Sequence, residues 1–292
     1  MKNKILLFIL VVLLIIYGYK RSSNSSFFYD NKVNLYDKKA NENLSLDMRD
    51  YLIGVVAAEM PASFSSEALK AQAVAARTFA YYNTNQLTTD KSTQSYLDIS
   101  QMQEKWGKDF DKYYSKISLA VDDTKDLVIT YNNEIISAYY FSMSNGFTEE
   151  AINVFGENKS YLKSVISEED ENNHNYKVIK TINKDEFKSK LGIDEDVHIE
   201  GIVRNKTNHV DSIVVNGHEY SGTTFRKLLD LRSTDFEIVV MESSINITTY
   251  GYGHGVGMSQ YGANTLAQKG YTWDEIIKHY YQNIKIKSIN NL

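Results

Sequence analysis

A chain of 292 residues with 42% hydrophobic side chains can bury a sizeable core, which excludes global disorder. Its formal net charge of −5 is the opposite of the basic face used to hold nucleic acid, so nucleic acid is not an expected partner. The absence of cysteine removes disulfides, thiolate metal sites and cysteine nucleophiles together.

The N-terminal run from Ile5 to Tyr19, ILLFILVVLLIIYGY, carries no charge and is flanked by Lys4 and by Lys20 and Arg21. It falls short of the roughly 20 residues of a spanning helix, and snorkelling of Lys4 and Lys20 closes the difference. No small-x-small cleavage site follows, so residues 1–21 read as an uncleaved transmembrane anchor. Basic residues on both sides leave its orientation undecided by charge. Residues 22–31 form a polar tether, and residues 32–292 the body.

Lys32 to Leu46 predicts one or two short strands. Met48 to Ala58 suits a helix packed on one face, broken by Pro61, the only proline. Ser66 to Tyr82 predicts the clearest helix, with Ser65 or Ser66 as cap and Glu67 in its first turn. Six alanines from Ala68 to Ala80 keep it slim, as a core helix requires. Leu127 to Thr130 and Ile135 to Phe141 bracket Asn132-Asn133 as a hairpin. Residues 166 to 197 are polar and loosely patterned, and a mobile lobe is expected at about 160–230. Val210 to Val215 and His218 to Tyr220, around Asn216-Gly217, predict a second hairpin. Strands at Phe236 to Met241 and Ile245 to Thr249 follow, then helices near Ser259 to Gln268 and Trp273 to Tyr281, and a strand at Ile284 to Ile286. The class is α+β: Ala-rich core helices with antiparallel sheet segments forming a substrate cleft, plus the N-terminal transmembrane helix.

Three constellations could carry chemistry. In GVVAAEMP, Gly54 to Pro61, Glu59 is the only charge between Asp50 and Glu67. Burial there raises a carboxyl pKa and keeps a proton available for a glycosidic oxygen; a helix-terminal Glu reaching water fits the same spacing. Gln72 and Arg77 share the Ala-rich helix, where Arg77 could clamp a sugar or form an ordinary ion pair. In GYGHGVGMSQYGA, Gly251 to Ala263, four alternating glycines permit close backbone approach. Neither phosphate-loop spacing is present, and His254 has no ligand-spaced histidine, so neither nucleotide nor metal is expected. Gln260 and Tyr261 suit hydrogen bonding to and stacking on a sugar; a tight structural loop fits equally.

Taken in order, EMP, ALKAQAVAARTFA (Ala68 to Ala80), SAYYFSMSNGFTEEA (Ser137 to Ala151) and GYGHGVGMSQYGANTLAQKGYTWDEIIKHYY resemble the stage II sporulation protein D family. That family includes the amidase enhancers, and the resemblance covers roughly residues 45 to 290. It implies a peptidoglycan lytic transglycosylase that cleaves MurNAc–GlcNAc bonds of peptide-stripped strands to 1,6-anhydro-MurNAc ends during spore engulfment. It places the catalytic glutamate on Glu59, an active-site arginine on Arg77 and a groove tyrosine on Tyr261. The His254 block and the Ser142 to Thr148 segment, with Ser144, are implied to line the same cleft. Partners implied are glycan strands, a cell-wall amidase and a membrane scaffold, with a single-pass membrane location and an extracytoplasmic body. Some members hold zinc in the Ser137 to Ala151 region. Here Phe141, Ser144 and Asn145 stand where ligands would be, so neither metal nor any other cofactor is expected. The competing expectation is a non-catalytic glycan-binding enhancer of an amidase.

Overall fold

The computed structural model describes residues 31–84, 86–168 and 173–292; the expected anchor and nearly all of the tether lie outside them. Among the described residues, no helix is long and apolar enough to cross a membrane.

Strands β1 (Lys32–Asp37) and β2 (Glu42–Asp47) pair antiparallel, and the chain passes directly into α1 (Met48–Glu59). Helix α2 (Ser66–Tyr82) has the bounds its sequence predicts. Ser65 occupies its N-cap, but the side chain makes no capping bond, which corrects the expected serine cap; its N–H instead donates to the Asn264 side chain at 2.8 Å. Two further helices follow, α3 (Ile99–Trp106), opened by an Asp98–Gln101 capping box, and α4 (Phe110–Asp123). Their apolar signal is thin: α3 buries only Met102, and α4 buries Ile117, Ser118, Ala120 and Val121.

Strand β3 (Leu127–Tyr131) turns at Asn132-Asn133, both at positive φ, into β4 (Glu134–Ile135). The expected partner strand ends there. Its continuation becomes β5 (Tyr140–Phe141), which pairs in parallel with Met258 and Ser259. Then come β6 (Gly146–Phe147), α5 (Ala151–Phe155) and β7 (Ile166–Ser167), with β6 and β7 antiparallel.

From residue 173 onward, the loosely patterned region is structured. It holds β8 (Lys177–Asn183), α6 (Lys184–Leu191) and β9 (Ile199–Arg204), followed by β10 (Val210–Val215), β11 (His218–Ser221), α7 (Gly222–Leu228), β12 (Phe236–Val240) and β13 (Ser244–Tyr250). Its pattern was hidden because β8 places Lys180 on the inner face and Ile179, 60% exposed, on the outer one. Lys180 Nζ reaches the Leu229 carbonyl at 2.7 Å, so the inward lysine is satisfied. Two three-stranded antiparallel sheets, β11-β10-β9 and β12-β13-β8, enclose an apolar cluster running from Ile182 to Ile247 through Phe187, Phe225 and Phe236. The chain closes with β14 (Met258–Ser259), α8 (Gln260–Gln268), α9 (Trp273–Tyr280) and β15 (Lys285–Ser288). The architecture is α+β.

A separate, larger core gathers around α2, which packs on α1, α4, α8, α9 and β3. Ala68, Ala71, Ala73, Ala75 and Ala76 are fully buried, and their small side chains let five elements approach one helix. The same closeness operates at Gly54 of α1, where an added Cβ would lie 2.6 Å from the Leu97 carbonyl and within the Tyr96 ring. Gly54→Ala is therefore expected to destabilise the fold by about 1–3 kcal/mol, measured by denaturant unfolding, despite alanine's better helix propensity. The two cores are joined by Asn145, whose Nδ2 donates to the Thr207 carbonyl and to Asp235 Oδ2, both at 2.8 Å.

Candidate active site

Glu59 is the last residue of α1, because Met60 turns extended (φ −122°, ψ 141°) ahead of Pro61. That position sets its carboxyl at the negative end of the helix dipole, where a carboxylate is disfavoured. Burial is the larger effect and raises its pKa above the ordinary carboxylate value. Opposing it are the Ser95 N–H, which donates to Oε1 at 2.6 Å, the Gln260 amide and the charge of Lys91. The balance stays on the protonated side of an ordinary glutamate. Among the described residues no Lys or Arg forms a salt bridge with it.

Tyr51, Tyr140, Gln94 and Gln72 form the wall behind this carboxyl. Tyr140 Oη donates to Gln94 Oε1 at 2.9 Å, and Gln94 Nε2 bridges to Tyr51 Oη at 3.3 Å and to the Ala76 carbonyl at 3.2 Å. Burial raises the pKa of both tyrosines, and the Glu59 charge adds to it, so both hydroxyls remain neutral. Gln72 is fully buried beside Tyr140 and lowers its pKa, yet neither amide atom reaches proper hydrogen-bond geometry. Gln72 thus stands behind Tyr140 and not on an open sugar-binding surface, a correction to the expectation. Lys105 Nζ caps the Ala57 carbonyl at 2.8 Å, at the end of the same helix.

The other side comes from the C-terminal block. Ser259 caps α8 by accepting from the Gly262 N–H at 3.2 Å. This places Gln260, 3% exposed, against Glu59, with a buried Nε2 that has no fully formed hydrogen bond. The Tyr261 ring meets Phe64 edge-on at 4.9 Å, just past the Glu59–Pro61 break, and its N–H donates to the Ser142 carbonyl at 3.0 Å. Gln260 is therefore set against Glu59, with Tyr261 next to it in the chain and Ser142 contributing backbone.

His254 has a different part. Its ring lies among Phe155, Phe141 and Tyr139, with centroids 5.3, 5.8 and 6.0 Å away. Its Nδ1 accepts from the Val256 N–H at 3.1 Å, which leaves the proton on Nε2. Burial, helped by the Arg226 charge and opposed by a hydrogen bond to the Tyr140 backbone, pulls its pKa down to about 4. It is a neutral brace for β5, and this corrects the sugar-binding expectation. The loop that carries it needs its glycines: at Gly257 (φ 81°) a Cβ would sit 1.9 Å from the Tyr139 carbonyl.

Three further expected site residues are held by bonds within the fold. Arg77 is 3% exposed and donates to the carbonyls of Thr124 (2.7 Å), Leu127 (3.2 Å) and Val121 (3.2 Å), closing the end of α4 and not a sugar pocket. Ser144 Oγ donates to the Ser167 carbonyl at 2.7 Å, and Thr148 Oγ1 accepts from the Val165 N–H at 2.9 Å; both are buried and pin the β6–β7 segment. Asn145 is the inter-core tie described above.

Sequence reasoning missed Tyr51, Gln94, Ser95 and Tyr140, and also Glu149. The Glu149 carboxyl, 2% exposed, accepts from Thr207 Oγ1 and from Asn205 Nδ2 (2.7 Å), and burial raises its pKa to about 7. His209 Nδ1 lies 3.5 Å away, but burial holds that ring's pKa down to about 4, so the contact is not an ion pair at neutral pH. A carboxyl whose folded pKa exceeds its unfolded one stabilises below the unfolded value and loses that contribution as pH rises through the folded value. Glu149→Gln is accordingly expected to raise the melting temperature at pH 8, with the gain shrinking toward pH 4.5; calorimetry across that range checks it.

One carboxyl of raised pKa, walled by tyrosines and amides where two helix ends meet, has the chemistry to give and take a proton. A family model described as Stage II sporulation protein matches residues 36–131. The chain is 40% identical over 264 residues to stage II sporulation protein D of Bacillus subtilis, covering 85% of this chain and 77% of that one. The Bacillus amyloliquefaciens protein of the same name is likewise 40% identical over 264 residues, covering 86% and 76%. Bacillus subtilis amidase enhancer is 29% identical over 299 residues, covering 81% of this chain and 40% of its own length. The chain belongs to the stage II sporulation protein D family, a sporulation family related to an amidase enhancer.

Proposed function

We infer that the chain is a membrane-anchored lytic transglycosylase. It cleaves MurNAc–GlcNAc bonds of peptide-stripped glycan strands outside the cytoplasm, during engulfment. The observation that carries this reading is the Glu59 carboxyl, whose pKa burial raises while Ser95 N–H and Gln260 still engage it. Protonated Glu59 gives its proton to the departing glycosidic oxygen as positive charge develops at the anomeric carbon. The resulting carboxylate takes the proton of the MurNAc C6 hydroxyl, whose oxygen closes the 1,6-anhydro ring. Protons balance and no water is consumed, so one carboxyl suffices. The Ser95 N–H and the Gln260 amide steady the carboxylate in mid-cycle. Tyr261, braced edge-on by the buried Phe64 ring, offers aromatic surface beside the reacting bond.

The chain's similarity to an amidase enhancer supports a second reading, a glycan-binding module that stimulates a partner amidase without cutting sugar. Digestion of peptide-free strands by the full chain, followed by mass spectrometry, separates them. Anhydro-MurNAc ends are expected; intact strands together with faster amidase turnover would favour the module. A cell-wall amidase and a membrane scaffold are the proposed partners.

A further inference from the structure

Arg226 and Arg232 flank the glycine-rich loop, and neither has a carboxylate partner among the described residues. Arg226, on α7, gives Nε to the Leu231 carbonyl at 3.2 Å, and among the described residues neither Nη atom has a protein acceptor. Burial lowers its pKa, with Tyr252 and Asp230 opposing, and its charge in turn depresses His209 and His254. Arg232 lies over the Tyr252 ring, 4.1 Å from the centroid. Its Nη2 donates to the Asn175 carbonyl at 3.2 Å, while its buried Nε has no acceptor. Among the described residues, Asp235 is engaged by Arg204 at 2.9 Å and by Asn145, Glu149 by Thr207 and Asn205, while exposed Asp230 acts on Arg226 through its charge without forming an ion pair with it.

A partly buried guanidinium without a counter-ion is costly, and its fork matches a carboxylate in two-point contact. Tyr252 is 38% exposed, which leaves aromatic surface free beside the two cations. Its backbone pairs with Met143 in both directions (2.7 and 2.9 Å), three residues along the chain from Tyr140 at the Glu59 wall. At about 3.3 Å per extended residue that is about 10 Å, a separation that a short oligosaccharide bridges.

We propose that Arg226, Arg232 and Tyr252 form an anion subsite for a carboxylate borne on the glycan, the lactyl group of a MurNAc residue freed of its peptide. The subsite rests on the reading of the chain as glycan-binding, and it makes the absence of stem peptide a property that the protein reads directly. An amide-linked lactyl group has no charge to offer the two cations.

The test uses the full chain carrying Glu59→Gln, so that bound strands are not consumed. Calorimetry compares a peptide-free GlcNAc–MurNAc tetrasaccharide with the same sugar whose lactyl carboxylates are converted to methylamides. The free acid is expected to bind about ten-fold tighter, a gap that narrows with added salt. Adding Arg226→Gln and Arg232→Gln is expected to erase the gap, with retained melting temperature showing that the protein is folded. Equal affinities before the arginines are changed would overturn the subsite, whether or not the arginine variants fold. So would a gap that survives in the folded variant, or inorganic phosphate that binds as tightly as the sugar acid. A carboxylate-dependent gap in a protein whose unsubstituted form yields no anhydro ends would instead remove the lytic reading and leave the subsite standing.

Discussion

Glu59→Gln is expected to cut the release of anhydro-MurNAc ends by about 100- to 10,000-fold while leaving glycan binding within a few-fold of the parent. Glutamine keeps an oxygen for the Ser95 N–H, now at 2.6 Å, so the helix end and the Gln260 contact persist. What it lacks is the transferable proton. The pH profile adds a second reading of the same group. Because burial raises the Glu59 pKa, activity should fall as pH rises through that value, where the acid form is lost. By the same linkage the carboxylate opposes folding above its folded pKa, so Glu59→Gln should melt higher at pH 8 than the parent. A variant that is both more stable and inactive marks a chemical role; one that is merely unfolded does not. Strand digestion with product mass spectrometry, paired with calorimetry, reads both.

Arg77→Met is expected to cost about 3 kcal/mol or more of folding stability. The guanidinium is buried against three carbonyls at the end of α4 and the start of β3, and methionine would remove its bond to each, leaving Thr124 O only the Leu127 N–H and Val121 O only the Thr124 hydroxyl. Burial lowers the Arg77 pKa to about 10, so the side chain is still charged at neutrality and its hydrogen bonds are the charge-assisted kind. Denaturant unfolding measures the loss. A sugar clamp would behave differently: the variant would unfold at the parent's midpoint and lose only glycan affinity.

Arg77 also shows where sequence reading stops. The residue sits in a motif that the family resemblance assigns to the active site, and its type suits either a ligand or a helix end. Only the path of α4, whose thin apolar pattern concealed it, determines which carbonyls it meets. Glu59 was legible because a lone charge between an apolar helix and a proline break has few burial-free positions. The hairpins at Asn132-Asn133 and Asn216-Gly217 were legible because positive φ at two central residues selects those types. Tyr140 and Gln94 were not. They are set together behind the carboxyl by the parallel pairing of β5 with β14 and a loop after α2, long-range contacts with no local signature. His254 drew notice for its glycine-rich setting. Its chemistry there is set by three aromatic rings from other segments, which hold it neutral.

The account depends on where the Glu59 proton leaves. Carbon-13 NMR titration of the glutamate side-chain carboxyls in the full chain, with the Glu59 resonance assigned by its disappearance in Glu59→Gln, measures this directly. A midpoint clearly above the ordinary value of 4.5 is the predicted result. A midpoint at or below 4.5 would mean that the carboxyl enters the site already ionised, and the single-residue acid–base cycle could not operate near neutral pH.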